Sequence, residues 1–273
     1  MPQIKTDDGT HIYYDDWGQG PTVVLIHGWP LSADMWQDNA TYLAENGCRV
    51  VMYDRRGFGR SSKPWNGYDY DTFAADLKAV IDQLNLSDVV LCGFSMGGGE
   101  VARYIGRYGT AKVRGAALVS AVTPYLSKTD DNPDGVPPST FDPIMEGLQK
   151  DRAHFFAGFE KDFFGYHTLE KKTSEEQLQW AFNIAMLASQ RATVESAKAF
   201  AMTDFRNDLK RFDKPTLIIH GTGDKTVPID NSARPAHKLI SGSQLVEYEG
   251  EPHALNVTAK DRFNADLLKF VRG

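Results

Sequence analysis

Short apolar runs alternate with longer amphipathic segments along most of the chain. The runs are continuous and rich in valine, leucine and isoleucine, which is typical of strands buried on both faces. The segments between them carry apolar residues at helical spacing. Strands separated by helices predict an α/β fold, in which helices cover both faces of a mostly parallel sheet. The strands are predicted at residues 22–27, 49–54, 88–93, 113–121, 216–220 and 245–248.

This alternation follows a hairpin and is interrupted once. Residues 2–17 predict two short strands joined by a turn at Asp7-Asp8-Gly9. Between residues 124 and 211, a loop rich in Asp, Pro and Gly leads into several helical segments with many aromatic residues. The chain therefore predicts one α/β unit with a helical insertion after its sixth strand. The helices of that unit are predicted at residues 33–46 and 71–84, from the residues after Ser95 to about 108, and at about 258–272.

The segment Gly93-Phe94-Ser95-Met96-Gly97 joins a predicted strand to a predicted helix. A Gly-x-Ser-x-Gly sequence in this position is typical of a nucleophile elbow, a sharp turn that exposes a serine hydroxyl in a strained backbone conformation. The flanking glycines fit such a turn because the neighbouring backbone comes too close for a Cβ atom. We therefore predict that Ser95 is a nucleophile. The alternative is a glycine-rich turn with an incidental serine.

Two further polar residues follow strand ends, in the order in which the partners of such a serine occur. Asp224 leaves the strand at 216–220, and His253 follows the last strand. Because active-site groups lie beyond the carboxyl ends of strands in an open α/β sheet, both are well placed. We predict that His253 is the base and that Asp224 orients it. Asp230 competes for the second role, although helix capping is the commoner function for an aspartate at a helix start.

The other histidines are expected to have structural roles. His27 and His220 end strands but precede a glycine, and we expect them to pack beneath the site. The remaining histidines lie on an early polar strand or in helical and loop segments without a strand end before them: His11, His154, His167 and His237.

An acyl-transfer site also needs backbone N–H groups directed at the developing negative charge. One donor is expected to be Met96, the residue after the nucleophile. The other is expected from Trp29, in the loop after the strand at 22–27, because Pro30 has no N–H group to donate.

Several segments carry a family resemblance: Ile26–Pro30, Tyr53–Ser61, Tyr68–Ala74, Gly93–Gly99, His220–Asp224 and Pro252–His253. Together they resemble the α/β-hydrolase superfamily. The versions Asp-Arg-Arg-Gly-Phe-Gly-Arg-Ser and Gly-Phe-Ser-Met-Gly-Gly-Gly are narrower and resemble the cofactor-free bacterial haloperoxidases, which are also described as arylesterases, perhydrolases and, for some members, γ-lactamases. The resemblance covers nearly all of the chain.

The resemblance implies a domain division and a substrate pocket. The α/β-hydrolase core domain would comprise residues 1–123 and 212–273, and residues 124–211 would form a helical cap. Most aromatic residues of the cap are expected to pack the cap itself, and the rest to line an apolar pocket over Ser95. The residues favoured for the pocket are Val122, Phe159, Phe163, Phe200 and Val227. The resemblance also implies that the protein forms a homo-oligomer.

The function implied is that of a carboxylic ester hydrolase, an arylesterase that acts through an acyl-enzyme. Attack of hydrogen peroxide on that intermediate would give a peracid, which oxidises halides without a cofactor. A γ-lactamase or lactonase would keep the same triad, and a non-catalytic small-ligand receptor would keep the same scaffold. Both alternatives stay open.

Composition limits the partners. The formal net charge of −6 is spread over interspersed charges of both signs, which does not indicate a nucleic-acid surface. No apolar run approaches the roughly 18 residues of a membrane span, and no signal region is recognisable at the amino terminus. We expect a cytoplasmic protein in which Cys48 and Cys92 are buried thiols. No metal-ligand or dinucleotide-binding pattern is present, so neither a metal nor a cofactor is expected.

Overall fold

The described residues, 1–166 and 172–273 of a computed structural model, contain one sheet of eight strands. The strands are β1 (Gln3–Lys5), β2 (His11–Gly18), β3 (Thr22–Ile26), β4 (Arg49–Tyr53), β5 (Val89–Phe94), β6 (Val113–Val119), β7 (Thr216–Gly221) and β8 (Gln244–Tyr248). Their order is β1-β2-β4-β3-β5-β6-β7-β8. β2 pairs antiparallel with β1 and β4, and every other pairing is parallel. The predicted mostly parallel sheet is therefore confirmed.

The helices are α1 (Gln37–Glu45), α2 (Tyr70–Gln83), α3 (Met96–Tyr108), α4 (Asp142–Lys150), α5 (Arg152–Phe163), α6 (Glu175–Met186), α7 (Gln190–Met202), α8 (Arg206–Leu209), α9 (Ala233–Leu239), α10 (Leu255–Thr258) and α11 (Lys260–Arg272). From β3, the chain crosses through α1 to β4, and then returns through α2 to β5 on the other side of β3. Because crossovers between parallel strands are right-handed, α1 and α2 lie on opposite faces of the sheet. α11 packs against α1, and α3 packs against α2.

This reversal of direction positions the site. The connections that leave β3 and β5 run to opposite sides, which opens a crevice at the carboxyl ends of these two strands. Open α/β sheets bind their ligands at such a point. The loop Gly28-Trp29-Pro30 follows β3 here, and Ser95 follows β5.

Some element boundaries differ from the predicted ones. The strand predicted at 113–121 ends at Val119, because Ser120 has a φ of 45° that a strand does not accommodate. The helix predicted at 33–46 begins as a 3₁₀ turn, which the Ser32 side chain caps, and continues as α1. The last predicted helix, at about 258–272, corresponds to α11, and the short helix α10 precedes it.

The helical insertion lies between β6 and β7 and contains α4 to α8. Trp29 of the core loop reaches into it, since its indole Nε1 donates a hydrogen bond to the Thr193 carbonyl at 3.0 Å. The indole ring also packs edge-on against Phe156, Phe159 and Phe200, with ring centroids 5.4–5.6 Å away. The aromatic residues of the insertion thus pack over the crevice.

Several smaller features complete the description of the fold. Cys48 and Cys92 are buried free thiols. The peptide bonds Trp29–Pro30 and Thr123–Pro124 are cis. Among the helices in the described residues, none has the length and apolar character needed to cross a membrane. His167 lies outside the described residues.

Candidate active site

Ser95 forms the sharp turn between β5 and α3. Its backbone has φ 53° and ψ −117°, a conformation that a non-glycine residue keeps only when the surrounding structure holds it there. Its N–H donates to the Val119 carbonyl at 2.8 Å, and its carbonyl accepts from the Gly98 N–H at 2.9 Å. The structure therefore places Ser95 in a strained turn of the predicted kind.

The glycines beside this turn leave no room for a side chain. A Cβ atom on Gly93 would lie 2.3 Å from the Gly97 carbonyl oxygen, and one on Gly97 would lie 2.4 Å from the Ile26 carbonyl oxygen. Both obstructing atoms belong to the backbone and cannot swing away as a flexible side chain can. The start of α3 consequently lies directly against the end of β3.

His253 connects Ser95 to Asp224 by hydrogen bonds. Its Nε2 lies 2.9 Å from Ser95 Oγ, and its Nδ1 lies 2.6 Å from Asp224 Oδ2. An ionised carboxylate can only accept, so Nδ1 carries the proton and Nε2 is free to take the proton of the serine hydroxyl. All three residues are buried. Such an arrangement can activate a hydroxyl as a nucleophile.

Three hydrogen-bond donors and the nearby His220 imidazole, whose Nε2 lies 2.8 Å from the Val227 carbonyl, hold Asp224 in its charged form. Its Oδ1 accepts the backbone N–H groups of Thr226 at 2.9 Å and Val227 at 2.8 Å. Its Oδ2 faces His253 and also lies 3.2 Å from Nε2 of His220. Burial by itself would raise the pKa of Asp224, but His253 and His220 outweigh it and hold this pKa well below the usual range. The carboxylate therefore stays ionised next to the imidazole.

The competing acid is placed elsewhere. Asp230 lies in a 3₁₀ turn at Ile229–Asn231, where its exposed carboxylate pairs with Arg234 at 2.7 Å instead of capping a helix. The capping role expected for it was therefore wrong, because its side chain points toward the arginine one helical turn further along.

The remaining histidines divide into two groups. His27 and His220 are fully buried, as expected of residues packed beneath the site. However, His220 also contacts Asp224, a contribution that its position in the sequence did not indicate. The exposed group contains His11, His154 and His237.

Two backbone N–H groups beside Ser95 have no hydrogen-bond acceptor in the part of the chain that the structure describes. One belongs to Met96, the first residue of α3, and the other to Trp29. The loop is close to the serine, since a Cβ atom on Gly28 would lie 3.1 Å from Ser95 Cβ. The Leu31 N–H donates to the Gly28 carbonyl at 3.1 Å and closes the loop.

A cavity of about 50 Å³ opens between Ser95 and the insertion. All five residues expected to line a pocket do line it: Val122, Phe159, Phe163, Phe200 and Val227. Trp29 and His253 also face it. Four further lining residues were not predicted from the sequence: Leu126, Phe141, Ile144 and Thr226.

Outside this site, the described chain contains further cavities but no cluster of metal ligands. Within residues 1–166 and 172–273, no group of three or more His, Cys, Asp or Glu side chains is arranged to hold a metal ion. A larger cavity of about 400 Å³ lies at the amino-terminal ends of β5 to β8 and contains none of the site residues.

Known proteins are similar to this chain in sequence and in fold. A family model described as the alpha/beta hydrolase fold matches residues 21–260. The non-heme chloroperoxidase CPO-A1 of Kitasatospora aureofaciens is 44% identical over 273 residues, which cover 99% of each chain. The bifunctional esterase/perhydrolase DCH of Acinetobacter calcoaceticus is 38% identical and matches over 100% of both chains.

A solved structure agrees with these relatives. The bromoperoxidase from Bacillus anthracis superimposes with a TM-score of 0.96 at 45% identity, covering 100% of this chain and 99% of its own. The chain therefore belongs to the α/β-hydrolase fold family and, within it, to the group of non-heme, cofactor-free haloperoxidases and esterases.

Proposed function

We propose that this protein is a serine hydrolase that cleaves carboxylic esters through an acyl-enzyme and passes the acyl group to hydrogen peroxide as well as to water. The observation that carries the proposal is the hydrogen-bonded series Ser95–His253–Asp224 beside two backbone N–H groups that find no acceptor within residues 1–166 and 172–273. The chloroperoxidase and esterase/perhydrolase activities named for the relatives support the same class of reaction.

Acylation begins when Ser95 Oγ attacks the ester carbonyl and His253 Nε2 takes the hydroxyl proton. The imidazolium that forms is stabilised by the Asp224 carboxylate, which also keeps the ring in the required tautomer. The carbonyl oxygen becomes negatively charged and accepts hydrogen bonds from the Trp29 and Met96 N–H groups. Each such donor is worth roughly 3 kcal/mol in the transition state. The imidazolium then protonates the leaving alcohol, and the C–O bond breaks.

Deacylation uses the same groups in the reverse direction. His253 removes a proton from water or from hydrogen peroxide, and the resulting oxygen nucleophile attacks the acyl carbon. Ser95 leaves with the proton that His253 returns. Water yields a carboxylic acid, whereas peroxide yields a peracid. In free solution the peracid transfers one oxygen atom to a halide ion, which gives a hypohalous acid and leaves the negative charge on the carboxylate.

The cavity supports a short acyl group. Its volume of about 50 Å³ is far below the roughly 300 Å³ or more of a drug-sized ligand pocket. Its walls are mainly aromatic and aliphatic side chains, with Ser95, His253 and Thr226 as the polar exceptions. Acetyl and propionyl groups therefore fit the proposal better than long acyl chains.

The proposal also places the protein in the cytoplasm, which is a reducing compartment. The support is that Cys48 and Cys92 are both unbridged thiols. We also propose that the protein forms a homo-oligomer, and this rests on the family resemblance alone.

The test compares the natural protein with Ser95→Ala in three assays: p-nitrophenyl acetate hydrolysis, peracetic acid formation from acetate ester and hydrogen peroxide, and bromide oxidation in the same mixture. We expect Ser95→Ala to lose all three together, by about 10⁴-fold or more in kcat, with its fold intact by circular dichroism. Bromide oxidation that survives in this variant would contradict the shared acyl-enzyme.

The same assays address the alternatives. A γ-lactam and a γ-lactone are included beside acetate and octanoate esters. A lactam or lactone that turns over faster than every ester would favour the lactamase or lactonase alternative. Binding of these compounds without turnover of any of them would favour a receptor.

A further inference from the structure

The carbonyl oxygen of Gly28 accepts two hydrogen bonds. His27 Nδ1 lies 2.9 Å from it, and the Leu31 N–H donates to it at 3.1 Å. This carbonyl belongs to the same planar peptide unit as the Trp29 N–H, so the two groups point in opposite directions from one rigid plane. Whatever fixes the Gly28 carbonyl therefore also fixes the direction of the Trp29 N–H.

The surroundings of His27 assign its tautomer. The Arg55 backbone N–H donates to His27 Nε2 at 2.9 Å, so this nitrogen carries no proton. Burial, together with the neighbouring Arg55 guanidinium, holds the pKa of His27 well below its usual value. The Gly28 carbonyl can only accept, so the neutral ring carries its proton on Nδ1 and donates it there, while Arg55 Nη1 lies farther from Nδ1, at 3.4 Å.

A buried arginine holds this histidine against the other half of the site. Arg55 is fully buried, and its Nη2 donates to the His27 carbonyl at 2.8 Å. Its Nε donates to Glu100 Oε2 at 2.6 Å, and the Tyr53 hydroxyl donates to the other oxygen of the same carboxylate. Glu100 lies in α3, whose first N–H is that of Met96. The same guanidinium thus connects the loop of Trp29 to the helix of Met96.

We propose, on the basis of the function proposed above, that His27 is a positioning residue of the oxyanion site. Its neutral imidazole orients the Trp29 N–H through the Gly28 carbonyl. Two donors on that carbonyl also polarise the peptide unit, which strengthens its N–H as a donor to the oxyanion. His27 is not among the residues that line the cavity, so it acts through the backbone of the loop.

Two amide substitutions separate this role from general packing. In His27→Asn, the side-chain amide reaches the place of Nδ1 and can still donate to the Gly28 carbonyl, but nothing accepts from Arg55. In His27→Gln, the longer amide reaches the place of Nε2 and can accept from Arg55, but the Gly28 carbonyl loses its side-chain donor. Each variant keeps one half of the imidazole's hydrogen bonding, and both are expected to lower the melting temperature.

The kinetic outcomes differ between the two variants. For p-nitrophenyl acetate, we expect His27→Gln to lower kcat at least about 10-fold with KM nearly unchanged, and His27→Asn to keep kcat within about threefold. Ethylboronic acid, which forms a tetrahedral adduct with a serine hydroxyl, should bind His27→Gln more weakly by a similar factor. Equal losses in the two variants, or losses that follow only the melting temperature, would overturn the proposal.

A measurement on the unchanged protein covers the case in which the variants do not fold. Nitrogen-15 NMR of the histidine rings is expected to show His27 with a protonated Nδ1 and an unprotonated Nε2 from pH 6 to pH 9. A proton on Nε2, or titration of His27 in this range, would overturn the proposal. Failure of the esterase proposal is recognised separately, because it would leave Ser95→Ala as active as the natural protein.

Discussion

Asp224 and Asp230 lie close together in the sequence but have opposite surroundings. The Asp224 side chain is fully buried against two histidines, whereas 74% of the Asp230 side chain is exposed. We expect Asp224→Asn to lower esterase kcat by about 10³- to 10⁴-fold, because an amide can stabilise the wrong tautomer of His253. Asp230→Asn is the matched control and should leave kcat unchanged. Steady-state kinetics with p-nitrophenyl acetate compares the two variants. A larger loss of kcat in Asp230→Asn would mean that Asp230, and not Asp224, orients His253.

At the scale of elements, the packing of α3 on β3 sets the position of Ser95, the proposed nucleophile. A Cβ atom on Gly97 would meet the Ile26 carbonyl oxygen at 2.4 Å, so Gly97→Ala must move the start of α3 and Ser95 with it. We expect this variant to have a lower melting temperature and a lower kcat than the natural protein.

Gly158 provides the matched control for this substitution. It also lies within a helix, α5, but apart from the backbone of that helix a Cβ atom there would have no neighbour within 4 Å in the described part of the chain. Gly158→Ala should therefore raise stability by up to about 1 kcal/mol, through helix propensity, and leave kcat unchanged. Calorimetry of both variants tests the pair, and a Gly97→Ala protein with natural stability and activity would contradict the packing described for the turn.

A second element carries a buried carboxyl group. Glu160 of α5 is 4% exposed, and its Oε1 has no hydrogen-bond partner among the residues that the structure describes. Burial raises its pKa to about 8. The folded protein therefore binds this proton more tightly than the unfolded chain does. The resulting stabilisation is present at pH below the ordinary glutamate range and is lost as the pH rises toward 8.

Glu160→Gln cannot ionise and should remove this pH dependence. Its melting temperature relative to the natural protein is expected to be higher at pH 8 than at pH 5. Lys161 and Glu175 line the same surface pocket and are unchanged in this comparison. Glu146→Gln, on the exposed face of α4, is the control. A difference between Glu160→Gln and the natural protein that is the same at both pH values would show that Glu160 titrates normally.

At the scale of the whole molecule, the insertion and the sheet together define the size of the cavity over Ser95. Phe155 and Phe159 stack on each other in α5 at 5.7 Å, and both contact Trp29, but only Phe159 lines the cavity. Phe159→Ala should therefore raise kcat/KM for butanoate and hexanoate esters relative to acetate. Phe155→Ala removes the same number of atoms outside the cavity and should leave the chain-length preference unchanged. The same shift in both variants would mean that the cavity does not set acyl length.

The sequence was sufficient for those parts of the site that depend on strand order. Ser95, Asp224 and His253 each follow a strand, and parallel strands bring their carboxyl ends to one edge of the sheet. Phe141 and Ile144 belong to the insertion, where the side of a helix that faces the cavity depends on packing against other helices. The neutral tautomer of His27 was also not predictable, because it depends on contacts with Arg55 that are distant in the sequence.

The central claim is that one acyl-enzyme on Ser95 leads to both hydrolysis and perhydrolysis. The most direct measurement is mass spectrometry of protein that has been acid-quenched within milliseconds of mixing with p-nitrophenyl acetate, followed by peptide mapping. We expect one acetyl group on the peptide that contains Ser95, none in Ser95→Ala, and faster loss of the label with formation of peracetic acid when hydrogen peroxide is added. Acetyl groups only on other residues, or peracetic acid formed while the Ser95 label decays at an unchanged rate, would contradict the account.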